Sequence, residues 1–169
     1  MFKTDYSEYL SFDRLQNEVR NHNSRWEVLT RYLKEKYPEG TVLDAGAGTG
    51  ELERRAKAAG IVPKDWLNVE LNSEYVKELL LLGQKVQAGT VLKLPFFDRQ
   101  FDTGCCTEVL EHLRNPGRGL AECMRVAKKR VIVSLPCKRS QDCWHGWLIK
   151  AEIVDEWIII EFERVEGNE

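Results

Sequence analysis

The sequence predicts a doubly wound α/β fold, in which helices cover both faces of a mainly parallel sheet and an antiparallel hairpin is added at the C-terminal end. Three observations lead to this prediction. Short apolar runs alternate with amphipathic segments between residues 41 and 135, a glycine-rich turn follows the first run, and two β-rich runs lie beyond Pro136. Strands separated by helices need crossover connections, which place the strands parallel to one another.

The predicted elements follow one another along the chain as a repeated strand-and-helix unit. An apolar pattern at helical spacing predicts one or two N-terminal helices within residues 12–37. The predicted strands cover residues 41–44, 66–70, 85–88, 102–107 and 130–135. The predicted helices cover residues 51–59, 73–82 and 117–127. We interpret the basic residues 128–130 as the end of the last helix, where cations are favoured.

The C-terminal part of the chain has a different pattern. Residues 147–165 hold two β-rich runs on either side of Asp155 and Glu156. They predict an antiparallel hairpin on one edge of the sheet, and a helix through residues 147–157 is the alternative. A chain of 169 residues is long enough for one core. We therefore predict a single domain, made of an N-terminal helical segment (1–40), a central core (41–136) and C-terminal edge strands (137–169).

Composition and charge are those of a folded protein without a strongly basic surface. Hydrophobic residues make up 43% and charged residues 31%, the formal net charge is −2, and the pI is about 6.0. These values argue against nonspecific binding to nucleic acid or anionic membranes. No apolar stretch reaches the roughly 18 residues of a membrane helix, and the first residues are polar. We therefore expect a cytoplasmic protein that does not bind membranes.

The five cysteines have no paired spacing, which is unlike a disulfide framework and is typical of a reducing compartment. Most are interpreted as small core residues. Cys137, Cys143 and His145 are metal-ligating residue types close together in sequence, but their spacing matches no common zinc pattern. We predict no metal site.

The strongest motif is VLDAGAGTG, residues 42–50, in which an apolar strand runs into Gly46, Gly48 and Gly50 and then into a helix. Glycines let the backbone approach a ligand closely, and the helix offers unpaired N–H groups. A dinucleotide fingerprint would need its third glycine at position 51, which is Glu51. Asp44 instead suits a cationic ligand such as the amino group and sulfonium of S-adenosylmethionine.

A second acidic residue, Glu70, ends the next apolar strand. At that strand end, beside the glycine turn, a carboxylate can accept hydrogen bonds from both ribose hydroxyls of a nucleoside. Together, Asp44 and Glu70 favour S-adenosylmethionine over a dinucleotide.

With these motifs the sequence resembles the class I S-adenosylmethionine-dependent methyltransferases, notably the branch of the ubiquinone and menaquinone biosynthesis enzymes. The resemblance runs from about Trp26 to Pro136 and includes VLDAGAGTG, NVELN, LPFFDRQFD and TEVLEHL. It implies that residues 41–136 form the cofactor-binding core of a Rossmann-like methyltransferase fold. The cofactor-binding residues that it implies are Asp44, Gly46, Gly48, Gly50, Glu70, Leu71, Thr90, Val91, Cys106 and Thr107.

The chain departs from the family pattern at one place. The family usually has an acidic residue after the third strand that accepts the adenine amino group, whereas this chain has Gly89 and Thr90. The Thr90 hydroxyl or a backbone carbonyl is the remaining acceptor at this point.

Methyl transfer is an in-line displacement on an activated carbon, so alignment and exclusion of water supply much of the rate. A base is needed only if the acceptor must lose a proton. The candidates are Glu108 and His112, which would share a helical face with Glu111, and His145 in the loop after the fifth strand. The E-x-x-E-H string is alternatively the start of a helix that packs under the site, or a set of metal ligands.

The leading hypothesis is an enzyme that methylates a small molecule, in an unknown oligomeric state, with RNA or protein acceptors left open. An RNA 2′-O-methyltransferase with a metal at the E-x-x-E-H string is one alternative, and a non-catalytic cofactor-binding subunit is another. The N-terminal aromatic residues Tyr6, Tyr9, Phe12 and Trp26 are interpreted either as a lid over the acceptor or as core packing.

Overall fold

The computed structural model of the chain describes residues 23–36, 40–136, 147–154 and 157–164. The strands are β1 (Thr41–Ala45), β2 (Asp65–Glu70), β3 (Val86–Ala88), β4 (Phe101–Thr107), β5 (Ala127–Pro136), β6 (Trp147–Val154) and β7 (Trp157–Arg164). The α-helices are α1 (Asn23–Lys36), α2 (Glu51–Ala58), α3 (Ser73–Leu81) and α4 (Pro116–Val126), and Leu110–His112 form a 3₁₀ turn.

The strands form one seven-stranded sheet in the order β3-β2-β1-β4-β5-β7-β6. β1 to β5 are parallel, whereas β7 pairs antiparallel with β5 and with β6. The doubly wound α/β prediction and the C-terminal hairpin are therefore confirmed, and the alternative of a helix through residues 147–157 is wrong. Long β-branched and aromatic runs on both sides of the turn favour the hairpin.

The core lies on both faces of the sheet because successive side chains of a strand point to opposite faces. On one face Leu43 and Val131 pack with α4, and on the other Val42 and Ile132 pack with α1 and α2. Parallel strands covered by helices on both faces are buried, which explains why the buried part of β1, from Val42 to Ala45, is apolar except for Asp44.

The interpretation of residues 128–130 as a helix end is wrong. α4 ends at Val126, and β5 begins at Ala127, which pairs with Phe101 of β4. Lys128 and Lys129 are exposed on the strand, whereas Arg130 is buried and forms an ion pair with Glu161 of β7 at 3.3 Å between Nη1 and Oε1. The strand pairing with β4 therefore stabilises residues 128–130 more than the electrostatic attraction between cations and a helix C-terminus would.

Helix α1 is the described part of the N-terminal helical segment. Its Leu29, Tyr32 and Leu33 are each about 1% exposed, and Trp26 packs against the same cluster. Trp26 therefore contributes to packing, while Tyr6, Tyr9 and Phe12 lie outside the described residues. No helix in the described ranges is long and apolar enough to cross a membrane.

Candidate functional site

The glycine turn between β1 and α2 has a backbone that only glycine adopts easily. Gly46, Gly48 and Gly50 have φ angles of 83°, 55° and 73°, in the left-handed region. A Cβ on Gly46 would lie 2.3 Å from Cγ2 of Val109, whereas nothing lies within 4 Å of a Cβ built on Gly48. The outer glycines are packed against the protein, whereas the middle one faces space that no described residue fills.

The glycine turn is fastened to the end of β2. The amides of Gly46 and Ala47 both donate to the carbonyl oxygen of Val69, at 2.8 and 3.1 Å. The neighbouring Glu70 carboxylate accepts from the amide of Gly48 through Oε2 at 2.8 Å and from the amide of Asn72 through Oε1 at 2.7 Å. A carboxylate oxygen can accept more than one hydrogen bond, so Glu70 can also bind two hydroxyl groups.

Asp44 lies beneath the glycine turn on β1 and is only 1% exposed. Neither of its carboxylate oxygens has a hydrogen-bond partner among the described residues. Burial, together with the negative charges of Glu53 and Glu70, raises the pKa of Asp44 to about 8. A buried carboxylate without a partner is costly, and a cationic ligand would remove that cost. This feature fits the sulfonium and amino groups of S-adenosylmethionine.

The remaining predicted cofactor residues lie at the ends of β2, β3 and β4. Leu71 follows Glu70 and is 63% exposed, whereas Val91 and Cys106 are buried in the core. The Thr90 hydroxyl accepts from the amide of Leu92 at 3.3 Å, and Thr107 is the last residue of β4. The carboxyl ends of parallel strands lie along one edge of the sheet, so these positions are at the same edge as the glycine turn.

The cysteine thiols of this region are structural. Cys105, Cys106 and Cys123 are all buried and free. A hydrogen bond with Cys123 and burial raise the pKa of the Cys106 thiol well above its usual value, so that this thiol stays neutral. Among the residues that the structure describes, no three His, Cys, Asp or Glu side chains are grouped to hold a metal ion.

The idea that Glu108, Glu111 and His112 share a helical face is wrong. Glu108 has a φ of 58°, and only Leu110–His112 form a short 3₁₀ turn. The cause is pairing with β5: the Glu108 amide donates to the carbonyl of Ser134 at 3.2 Å, and the Ser134 hydroxyl donates to Oε1 of Glu108 at 2.6 Å. The imidazole Nε2 of His112 lies 3.8 Å from Oε1 of Glu111. His145 lies outside the described residues.

Four polar residues of this region were not predicted from the sequence: Ser134 on β5, and Glu53, Asn68 and Gln84 behind the glycine turn. All four are buried. Asn68 and Ser134 are single polar residues inside apolar strands, and that signal is visible in WLNVE and VIVSLP. A polar side chain in such a position must find a partner in the fold.

Comparison with known proteins gives the family. A family model described as a methyltransferase domain matches residues 43–135. The ubiquinone/menaquinone biosynthesis C-methyltransferase of Burkholderia mallei is 34% identical over 110 residues, which is 61% of this chain and 45% of that protein. The chain thus spans less than half the length of the curated relatives that it matches.

Solved structures share the fold. The magnesium protoporphyrin IX methyltransferase of Synechocystis, with bound S-adenosylmethionine, superposes with a TM-score of 0.73 over 95% of this chain and 94% of that one, at 19% identity. A SAM-dependent methyltransferase of Aquifex aeolicus superposes with a TM-score of 0.64 over 92% and 100%, at 22% identity. With the match over residues 43–135, these findings show that the chain belongs to the methyltransferase-domain family, among the class I S-adenosylmethionine-dependent methyltransferases.

Proposed function

We propose that this protein transfers a methyl group from S-adenosylmethionine to a small-molecule acceptor. The observation that carries the proposal is the buried carboxylate of Asp44, which has no hydrogen-bond partner in the part of the chain that the structure describes, next to a glycine turn whose middle residue faces open space there. A neutral or anionic ligand would leave that carboxylate uncompensated, whereas a sulfonium nucleoside compensates it.

Each predicted cofactor residue has a task in this proposal. Asp44 attracts the cationic end of the cofactor, Glu70 accepts from the ribose hydroxyls, and Gly46, Gly48 and Gly50 allow close approach. Leu71 offers an exposed apolar surface for the adenine ring, and the Thr90–Val91 and Cys106–Thr107 backbones border the ring from the other strands. When bound, the cofactor supplies a methyl group already activated on a positively charged sulfur.

A small acceptor is supported by the name of the 34% identical relatives, which are C-methyltransferases of quinone biosynthesis. Quinol-like aromatic compounds are therefore the first acceptors to test. We propose further that the whole chain is one cytoplasmic domain with residues 41–136 as its cofactor-binding core. The three free, buried thiols agree with a reducing compartment.

The test is an incubation of the purified chain with methyl-labelled S-adenosylmethionine and with separate RNA, protein and small-molecule fractions of a cell extract. We expect label in the small-molecule fraction. Label confined to RNA and abolished by a chelator would contradict the proposal in favour of a metal-dependent RNA methyltransferase. Cofactor binding without transfer to any fraction would instead favour a non-catalytic subunit.

Glu108 is the candidate base for an acceptor that must lose a proton. It follows β4 at the same sheet edge as the glycine turn, and Ser134 holds it in a left-handed backbone conformation. Such strain is frequent at functional sites. We expect Glu108→Gln to lower kcat by about 100-fold or more, because general bases contribute on that order, with an unchanged cofactor Kd.

His112→Asn is the comparison variant for this experiment, since His112 is the other described candidate. If turnover falls in His112→Asn and stays within about twofold of wild type in Glu108→Gln, then His112 is the base and the assignment to Glu108 is wrong.

A further inference from the structure

A buried polar network lies behind the glycine turn, on the side away from the open space. Its three central members are Glu53 of α2, Asn68 of β2 and Gln84 in the turn between α3 and β3, and they are 3%, 0% and 5% exposed. None of them belongs to the proposed cofactor contacts. Polar side chains this deeply buried are usually hydrogen-bonded, and among the described residues every side-chain polar atom of these three except Oε1 of Gln84 has a partner.

The Glu53 carboxylate is the centre of the network. Its Oε2 accepts from Nδ2 of Asn68 and from Nε2 of Gln84, both at 2.7 Å, and its Oε1 pairs with Nζ of Lys57 at 2.6 Å. Asn68 in turn accepts from Nε1 of Trp66 at 3.1 Å. The carboxylate acceptor strengthens the hydrogen bonds from Asn68 and Gln84, which favours one orientation of each amide side chain.

Gln84 connects this network to the glycine turn. Its Nε2 also donates to the carbonyl oxygen of Gly50 at 3.2 Å. The approach is close, since a Cβ on Gly50 would lie 2.2 Å from Oε1 of Gln84. In addition to the bonds of the Gly46 and Ala47 amides to Val69, side chains contact the turn at the Gly48 amide, through Glu70, and at the Gly50 carbonyl, through Gln84. The Gly50 carbonyl also accepts from the Arg54 amide at 3.2 Å.

We propose that Gln84, oriented by Glu53, is a positioning residue that fixes the glycine turn for cofactor binding without contacting the cofactor. The inference rests on the proposed function of the turn. A turn that is ordered before binding loses less conformational freedom when the ligand binds. The hydrogen bond from Gln84 to the Gly50 carbonyl therefore increases the affinity for the cofactor. Loss of this hydrogen bond weakens cofactor binding even in a variant that folds normally.

The exchange variant Glu53→Gln/Gln84→Glu separates positioning from stability. The amide at position 53 still accepts from Asn68 and donates to the carboxylate at position 84, so the buried pair and the net charge are kept. A carboxylate at position 84 has no hydrogen to donate to the Gly50 carbonyl. We expect a thermal midpoint within a few degrees of wild type and a calorimetric Kd for S-adenosylhomocysteine about tenfold weaker, the size of one lost hydrogen bond.

Two further variants complete the experiment. Gln84→Met keeps the side-chain length and removes both N–H donors, so it should weaken binding by a similar factor. This variant tests the inference independently if the exchange variant does not fold. Lys57→Gln removes only the exposed cation paired with Glu53 and should bind within about twofold of wild type. Wild-type affinity in folded exchange and Gln84→Met variants would overturn the inference. Absence of any binding heat in the wild type would overturn the proposed cofactor site itself.

Discussion

Asp44→Asn should make the empty protein more stable and its affinity for cofactor weaker. The empty protein gains stability because the substitution removes a buried carboxylate that has no described partner. The affinity falls because the cationic end of S-adenosylmethionine then loses its buried counter-charge, an effect of several kcal/mol in comparable pairs, which corresponds to about 100-fold or more in Kd. Thermal unfolding and calorimetric titration of the same samples measure both effects.

The pH dependence of Asp44 has a definite sign. Burial, together with Glu53 and Glu70, raises its folded pKa from 3.8 to about 8. Between these pH values the folded protein keeps a proton that the unfolded chain has released, so the free energy of unfolding falls as pH rises through this window. The stability difference between wild type and Asp44→Asn should therefore grow from pH 4 to pH 8, by up to about 1.4 kcal/mol per pH unit.

Cofactor affinity should move in the opposite direction. Binding of a cation favours the charged form of Asp44, so the wild type binds more tightly as pH approaches 8 and releases a proton on binding. Asp44→Asn should lack this dependence. The control is Asp65→Asn, since Asp65 pairs with Lys85 at the surface. An Asp44→Asn variant that keeps the wild-type affinity and pH profile would contradict the assignment.

The second large effect is expected for Glu70→Ala, which should weaken binding of S-adenosylhomocysteine by about 100-fold or more. Removing this carboxylate frees the amides of Gly48 and Asn72 and also removes the acceptor for the ribose. Hydrogen bonds to a charged group are worth about 1.5–3 kcal/mol each, and two of them account for the loss. Glu74→Ala is the control, because Glu74 is an exposed acidic residue on α3, the helix that follows Glu70.

A ribose analogue separates the two roles of Glu70. The wild type should discriminate between S-adenosylhomocysteine and its 2′-deoxy analogue, because the analogue lacks one of the hydroxyl groups that donate to the charged Glu70 carboxylate. Glu70→Ala should bind the two ligands equally weakly. Equal affinity of the wild type for both ligands would show that Glu70 only fastens the turn.

Local signals in the sequence were enough to predict the glycine turn, Asp44 and Glu70. Each lies at the end of an apolar run, and the left-handed φ angles of the turn require glycine whatever the rest of the fold does. The hairpin was predictable for the same reason, since β-rich runs on both sides of a polar turn specify it.

The errors and omissions arose where distant parts of the chain decide the outcome. The sequence at Glu108 is typical of a helix start. Ser134, which lies far from it along the chain, instead forms hydrogen bonds with its backbone and with its side chain. The sequence around Lys128 and Lys129 is typical of a helix end, but pairing with β4 places both residues in strand β5. The contacts of Gln84 with Glu53 and Gly50 likewise join residues more than thirty positions apart, and no local pattern reports such pairs.

The buried ion pair between Arg130 and Glu161 joins β5 to the C-terminal hairpin. A fragment ending at residue 135, where the family match ends, would leave this guanidinium without its counter-charge and expose the hydrogen-bonding edge of β5 to solvent and to other chains. We therefore expect the segment matched by the family model to be smaller than the unit that folds. In the longer chain, β7 forms the hydrogen bonds along that edge of β5 and supplies the buried anion for the guanidinium.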